Sequence, residues 1–243
     1  MTGVALGRRL RARLCGSTMA VRTAEAAIAL TFDDGPDPAS TPAVLEALAR
    51  HGMKATFFMV GARAARHPEL VARVADAGHE IGNHSWDHPS LPTLGVRAVA
   101  RQLGRTRAVL APRGGTLMRP PYGHQSLGSH LVARGLGYRV VIWNVVATDW
   151  LADDAATLAG RVLERAAPGA IVLLHDTLYT FEQERFRDRA PTIGALAILA
   201  ERLPGYRFVT VSELLRLGTP VRRYWTARAD PAWLATLGTD AAA

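Results

Sequence analysis

The sequence predicts an α/β protein built on a parallel sheet with right-handed crossovers, either closed into a barrel or doubly wound. Three observations carry this prediction. Seven short apolar or β-branched runs recur between residues 27 and 211. Stretches with helix start and stop signals separate them. The unusual polar residues fall just after the runs, at what would be the carboxyl ends of strands.

The first run, Ala27–Phe32, ends abruptly in Asp33, Asp34, Gly35 and Pro36. Thr41 and Pro42 then open a helical segment that stops at Gly52. The second run is Ala55–Val60. Pro68 opens a second helix, closed by Gly78, and the third run follows at His79–Gly82. The longest helical region, Leu94–Leu110, contains Gly95 and Gly104, which mark it as a place to bend or break. Thr116–Met118 and Arg139–Val145 are the fourth and fifth runs. Asp153 and Asp154 precede a helix closed by Pro168 and Gly169, and Ala170–Leu174 is the sixth run. Pro191 and Thr192 begin a last helix, ended by Pro204 and Gly205 before the seventh run, Tyr206–Val211. No internal repeat or low-complexity linker breaks this order, so a single domain is expected over residues 26–218. Residues 1–25 read as a loose N-terminal arm. Residues 219–243, with Trp225 and Trp233, read as a C-terminal extension packed on the outside.

The chain has 243 residues, 49% hydrophobic and 21% charged, which is enough to bury one substantial core and excludes a disordered chain. The formal charge is +8, but Lys54 is the sole lysine and the arginines are scattered among alanines. Without a basic block or interleaved aromatics, this reads as compositional bias and not as nucleic-acid binding. Cys15 is the sole cysteine, so an intrachain disulfide and a Cys-x-x-Cys metal knuckle are both excluded, and a metal site must use His, Asp or Glu. No apolar run approaches the ~18 residues of a membrane helix. Arg8 and Arg9 lie in a positively charged N-terminus that lacks the apolar stretch of a secretory signal, so a cytoplasmic location is expected.

Five polar clusters follow the runs: Asp33-Asp34 after the first, His84 to His88 after the third, Arg119 to Gly123 after the fourth, Asp149-Trp150 after the fifth and His175-Asp176 after the sixth. His84 and His88 are four residues apart, which brings both imidazoles to one side of a turn or compact loop. By itself His-x-x-x-His is equally a pair of capping or surface histidines. With a carboxylate from a strand end it becomes a two-His, one-carboxylate metal set with positions open for water and substrate. Pro120 and Pro121 stiffen the loop after Arg119, leaving the Tyr122 N–H as the next backbone donor, with Gly123 allowing close approach. His175 ends an apolar run; Asp149 on a neighbouring strand is a partner that raises its pKa and suits it to general acid work. Tyr122, Trp143, Trp150 and Leu173 are candidate walls of a small pocket.

Taken together, T-F-D-D-G, H-S-W-D-H, R-P-P-Y-G, D-W and L-L-H, spread over residues 27–217, resemble in order and spacing the five-motif pattern of the polysaccharide deacetylases, the NodB-homology domain of carbohydrate esterase family four. The resemblance implies a distorted (β/α) barrel, often of seven strands, and a divalent metal, usually Zn²⁺, with Co²⁺ or another divalent ion as the alternative. It implies that Asp33 is the general base and that Asp34, His84 and His88 hold the metal. It further implies that His175 is the general acid supported by Asp149, that Arg119 pairs with Asp33, that the Tyr122 N–H joins in stabilising the oxyanion, and that Leu173 lines the acyl pocket. One position departs from the pattern: Val146 stands where similar proteins often have a further Asp, three residues before Asp149. That puts in doubt the polar contacts along this strand and the substrate preference.

The chemistry expected is metal-assisted hydrolysis of the N-acetyl amide of an N-acetylglucosamine-type sugar. A metal-dependent O-acyl esterase, or a deacylase of a small biosynthetic intermediate, fits the same residues, and acetate release from chitooligosaccharides against aryl acetates separates them. A non-catalytic carbohydrate-binding module is the third reading; it predicts a metal-free protein.

Overall fold

The structure is a computed structural model that describes residues 15–151, 154–227, 232, 235 and 237–239. Its strands are β1 (Ser17–Arg22), β2 (Ala27–Asp33), β3 (Ala55–Met59), β4 (Glu80–Asn83), β5 (Leu117–Met118), β6 (Arg139–Val140), β7 (Val145–Val146), β8 (Ile171–His175), β9 (Thr180–Phe181), β10 (Arg207–Phe208), β11 (Thr219–Arg223) and β12 (Gly238–Thr239). The helices are α1 (Thr41–Arg50), α2 (Gly61–Arg66), α3 (Pro68–Asp76), α4 (Val96–Leu110), α5 (Leu127–Gly135), α6 (Ala155–Leu163), α7 (Ala190–Arg202) and α8 (Val211–Arg216).

The main sheet runs β6-β5-β4-β3-β2-β8-β7, with β10 added beside β2, and its pairings are parallel. β6 and β7 occupy opposite edges yet are separated by residues 141–144 alone. The two edges are therefore one stretch of chain, and the sheet curls into the distorted (β/α) barrel. The expected fifth strand, Arg139–Val145, is broken into two because it must serve both edges. In the break, Val141 bridges Thr18 and the Ile142 N–H donates to the Thr18 carbonyl at 2.8 Å, so β1 plugs the seam.

β2 is buried along its whole length, and its two faces do different work. Ile28, Leu30 and Phe32 face the helical layer, where they join Val44 and Leu48 of α1, Leu196 and Leu199 of α7, and Phe57, whose ring stacks on Phe32 at 5.1 Å. Ala27 and Ala29 face the barrel interior with Phe58 and Val141. Thr31 and Asp33 continue that interior row. Its small side chains leave room for a long buried group, which Arg119 supplies.

Several expectations are corrected. Residues 17–22 are not a loose arm: β1 pairs antiparallel with β11, and the Val21 N–H donates to the Gly169 carbonyl at 2.8 Å. Gly169, at φ +84, allows that approach, because a Cβ there would lie 1.7 Å from the Val21 oxygen. Residues 219–223 accordingly form β11, the partner of β1 in a separate two-stranded sheet. Trp233 and Asp153 lie outside the described residues. The seventh run is a strand at Arg207–Phe208 only. Thr210 instead caps α8 in a capping box with Glu213, which satisfies two otherwise orphaned donors and starts the helix at Val211. The region around Gly95 and Gly104 is not broken: Gly95 is the N-cap of a 15-residue helix, and Gly104 sits within it with open space at its Cβ position. Helices α2 and α5 add to the predicted set. Among the described residues, no helix is long and apolar enough to cross a membrane.

Candidate active site

The five polar clusters meet at the carboxyl ends of the strands, around a cavity of about 200 Å³. Its lining includes Asp33, Asp34, His84, His88, Tyr122, Trp150, Leu173 and His175, so most of the residues singled out in the sequence face one space. Arg119 and Asp149 lie directly behind that wall.

Asp33 ends the interior row of β2 and meets Arg119, which is fully buried. One guanidinium nitrogen, Nη1, donates to Asp33 Oδ1 and to Thr31 Oγ1, both at 2.7 Å, and Nη2 donates to the Ile142 carbonyl at 3.2 Å. The guanidinium lies 4.3 Å over the Phe58 ring, a cation–π contact inside the barrel. The Arg119 carbonyl reaches His84 Nδ1 at 2.8 Å. That contact makes Nδ1 the protonated nitrogen and leaves the Nε2 lone pair to face the aspartates.

Asp34 has φ 80, and its side chain leaves the strand's alternation for a different direction. Its Oδ2 accepts the Tyr179 N–H at 2.7 Å. Its Oδ1 lies 3.0 Å from His88 Nε2 and 3.3 Å from His84 Nε2, yet is buried without a hydrogen-bond partner. Burial works against the Asp34 carboxylate, but its interactions with His88, then with His84, hold it well below the usual carboxylate range. Burial pushes His88 down against the pull of Asp34, favouring the neutral imidazole that a metal needs. Asp34, His84 and His88 each offer one ligand atom, and these atoms lie within 4.8 Å of one another. An orphaned carboxylate oxygen facing two imidazole nitrogens fits a divalent ion of the Zn²⁺ class.

His175 ends β8. Its backbone N–H and its Nδ1 both engage Asp149, at 2.8 Å each, which leaves Nε2 as the atom able to give a proton. Burial opposes charge on this ring, but Asp149 first, then Asp34 and Asp33, outweigh it and raise His175 to about 9. Asp149 is itself buried; burial raises it, and His175 and Arg189 lower it further than burial raises it. Arg189 Nη1 donates to the Asp149 carbonyl at 2.9 Å, and Thr192 Oγ1 donates to Oδ2 at 3.2 Å. Val146, in β7, is in register with Leu173 and takes no part in this arrangement. Trp150 stands edge-on to His175 at 5.7 Å, and the Tyr122 ring stands edge-on to His88 at 4.5 Å.

Sequence reasoning missed Arg63, Arg189, Tyr179, His124 and Leu237. The arginines are hidden among many others of their kind, and Tyr179 acts through its backbone. Leu237 comes from the far end of the chain. Asp176 was grouped with His175 but does not line the cavity: it is buried behind it. Burial raises its carboxyl to about 7, against the Thr41 hydrogen bond and the charge of Arg63.

Comparison with known proteins finds relatives in both sequence and structure. The family model described as polysaccharide deacetylase matches residues 20–141. The peptidoglycan-N-acetylglucosamine deacetylase of Listeria monocytogenes is 40% identical over 192 residues, covering 77% of this chain and 38% of its own length. The chain thus spans well under half of that relative. The chitooligosaccharide deacetylase of Sinorhizobium fredii is 36% identical, covering 77% of this chain and 90% of its own. A solved peptidoglycan N-acetylglucosamine deacetylase superposes with a TM-score of 0.79 at 30% identity, over 88% of this chain and 99% of that one. The fold is a distorted (β/α) barrel like that of the solved deacetylases it resembles. The chain belongs to the polysaccharide deacetylase family.

Proposed function

We propose that this chain is a metal-dependent hydrolase that removes the N-acetyl group from an N-acetylated amino sugar. The observation that carries this reading is the convergence of three elements on one cavity: the Arg119-held Asp33, the Asp149-held His175, and the cluster of Asp34, His84 and His88. The names of the relatives, which concern peptidoglycan N-acetylglucosamine and chitooligosaccharide, support the same sugar class.

Asp34, His84 and His88 are the residues that would hold the metal. A divalent ion supplies Lewis-acid polarisation of an amide carbonyl and lowers the pKa of a bound water from 15.7 toward ~7. Asp33, its Oδ1 engaged by Arg119, takes the proton of the attacking water through Oδ2. The Tyr122 N–H donates to the developing oxyanion; the contact of its ring with His88 supports that role. His175 gives the Nε2 proton to the departing amine, which is too basic to leave unaided. Leu173 and Trp150 exclude water from the acyl side of the cavity.

The test is a mass-spectrometric screen for loss of one acetyl group from N-acetylated oligosaccharides and nucleotide sugars, with added Zn²⁺ and an Asp33→Asn control. Acetate release from the amides by the wild type alone supports the proposal. Release only from aryl acetates would replace it with the esterase reading.

A further inference from the structure

Asp176 is a buried carboxylate that the proposed chemistry does not use, 1% exposed and one residue beyond His175. Its Oδ1 accepts the Gly35 N–H at 3.2 Å, and Thr41 Oγ1 donates to its Oδ2. Gly35 must be glycine for this approach, because a Cβ there would lie 2.1 Å from Asp176 Oδ2. On the opposite side, Arg63 is also buried, and its Nη1 donates to the Asp34 carbonyl at 3.2 Å. Its Nη2 donates to the Leu178 carbonyl at 3.1 Å, tying down the loop whose Tyr179 N–H holds the Asp34 side chain.

The Asp34 carbonyl and the Gly35 N–H belong to one peptide unit. A carboxyl oxygen of Asp176 accepts its N–H and the Arg63 guanidinium donates to its carbonyl, so the plane is held with a fixed polarity. Turning the peptide over would aim the carbonyl at the accepting oxygen of Asp176 and the N–H at the Arg63 guanidinium, losing both hydrogen bonds. This matters because Asp34, at φ 80, is in the left-handed region that a residue with a Cβ adopts only when its surroundings enforce it. We propose that Asp176 and Arg63 clamp the Asp34–Gly35 peptide and thereby set the affinity of the Asp34, His84 and His88 cluster for its metal. Both are positioning residues: neither belongs to the cluster of ligand atoms or lines the cavity. The inference rests on the reading of these three residues as metal ligands.

The experiment is Zn²⁺ affinity by competition with a chromophoric chelator, beside metal-free melting temperature, for wild type, Asp176→Ala, Asp176→Asn and Arg63→Met. Loss of an outer partner of a metal ligand costs roughly 10–100-fold in affinity, so Asp176→Ala and Arg63→Met are each expected to weaken binding by that order. Asp176→Asn keeps an acceptor for the Gly35 N–H, with Thr41 turning to accept from the amide, and is expected to recover most of the loss. Equal loss in the Ala and Asn variants would mean that net charge, and not the clamp, sets affinity, and would overturn the proposal. So would a lowered melting temperature with wild-type affinity. If Asp176→Ala does not fold, Thr41→Val removes one anchor of Asp176 and is expected to weaken binding in the same direction; wild-type affinity there also overturns it. A wild type that binds no Zn²⁺ rejects the ligand assignment itself, and the clamp with it.

Discussion

Asp33 and Asp34 are neighbours in sequence whose side chains diverge because one ends the interior row of β2 and the other has turned to φ 80. Asp33 meets Arg119 at 2.7 Å, and Asp34 meets His88 at 3.0 Å. Their removal should therefore fail in different ways. Asp33→Asn is expected to lower kcat by about 10²–10⁴-fold, the usual worth of a placed base, with metal content by elemental analysis unchanged. Asp34→Asn is expected to lose the metal as well as the turnover. The two histidine-linked groups give a pH prediction. His175 must be protonated to act as the acid, so activity falls as pH rises through its pKa. Burial lowers that pKa, but Asp149, then Asp34 and Asp33, outweigh it and raise it to about 9. Asp149→Asn removes the largest raising partner, so the alkaline limb of the kcat/KM profile is expected to move to lower pH. A limb that stays in place would remove His175 from the role of acid. Strain follows the same map: among the described residues, the non-glycine residues with positive φ are Asp34, Ser85, His88, Tyr122 and Thr148, all within or beside the motif residues.

At the scale of elements, the C-terminal stretch does more than pack on the outside. Trp225 Nε1 donates to the Gly123 carbonyl at 2.9 Å, Ala227 bridges Gln125, and β12 pairs antiparallel with β9. β9 carries Thr180 and Phe181, which line the cavity, and Leu237 lines it too. The end of the chain therefore contributes to the wall of the cavity. Leu237→Ala is expected to change the ratio of kcat/KM for long over short N-acetylated oligosaccharides by about tenfold, the worth of a few methylenes in an apolar pocket, measured on a length series. None of this was legible beforehand. β9 and β12 are two-residue strands without periodicity, and their partners lie far apart in sequence. The motif residues were legible because each sits at the end of a buried strand whose apolar run is unmistakable, as in Ala27–Phe32. The break in Arg139–Val145 was not, because an apolar run is the same whether one edge or two must pair with it. Thr210 and Glu213 did carry a signal, the T-x-x-E capping box, which a strand reading of Tyr206–Val211 overrode.

Across the whole molecule, stability should respond to acid through groups far from the site as well as near it. His79 is buried at the start of β4, and its Nδ1 accepts the Ala55 N–H at 3.2 Å, so it must be neutral to make that bond. Burial, then Lys54, lowers it to about 4. His130, in α5, is lowered to about 4 by burial, then by Arg134. Both folded values lie below the ordinary 6.5 of histidine, so below that pH the unfolded chain binds more protons than the folded one. Their contribution is thus fully present above about 6.5 and is lost as pH falls toward about 4. Asp176 acts in the opposite sense. Its folded value of about 7 lies above the ordinary 3.8, so its contribution is present below 3.8 and is lost as pH rises through 7. The two effects overlap between pH 4 and 6.5 and partly cancel in the wild type, so the net curve alone does not separate them. Differences between variants do. His79→Gln with His130→Gln is expected to lower stability at pH 7.5, where the histidine contacts are intact, and to make the fall of the melting temperature with acid between pH 6.5 and 4 shallower. Asp176→Asn is expected to do the reverse, steepening the decline over the same window because the opposing group is gone. Parallel melting curves for all three proteins across that range would show that these buried groups keep their ordinary titration in the folded state.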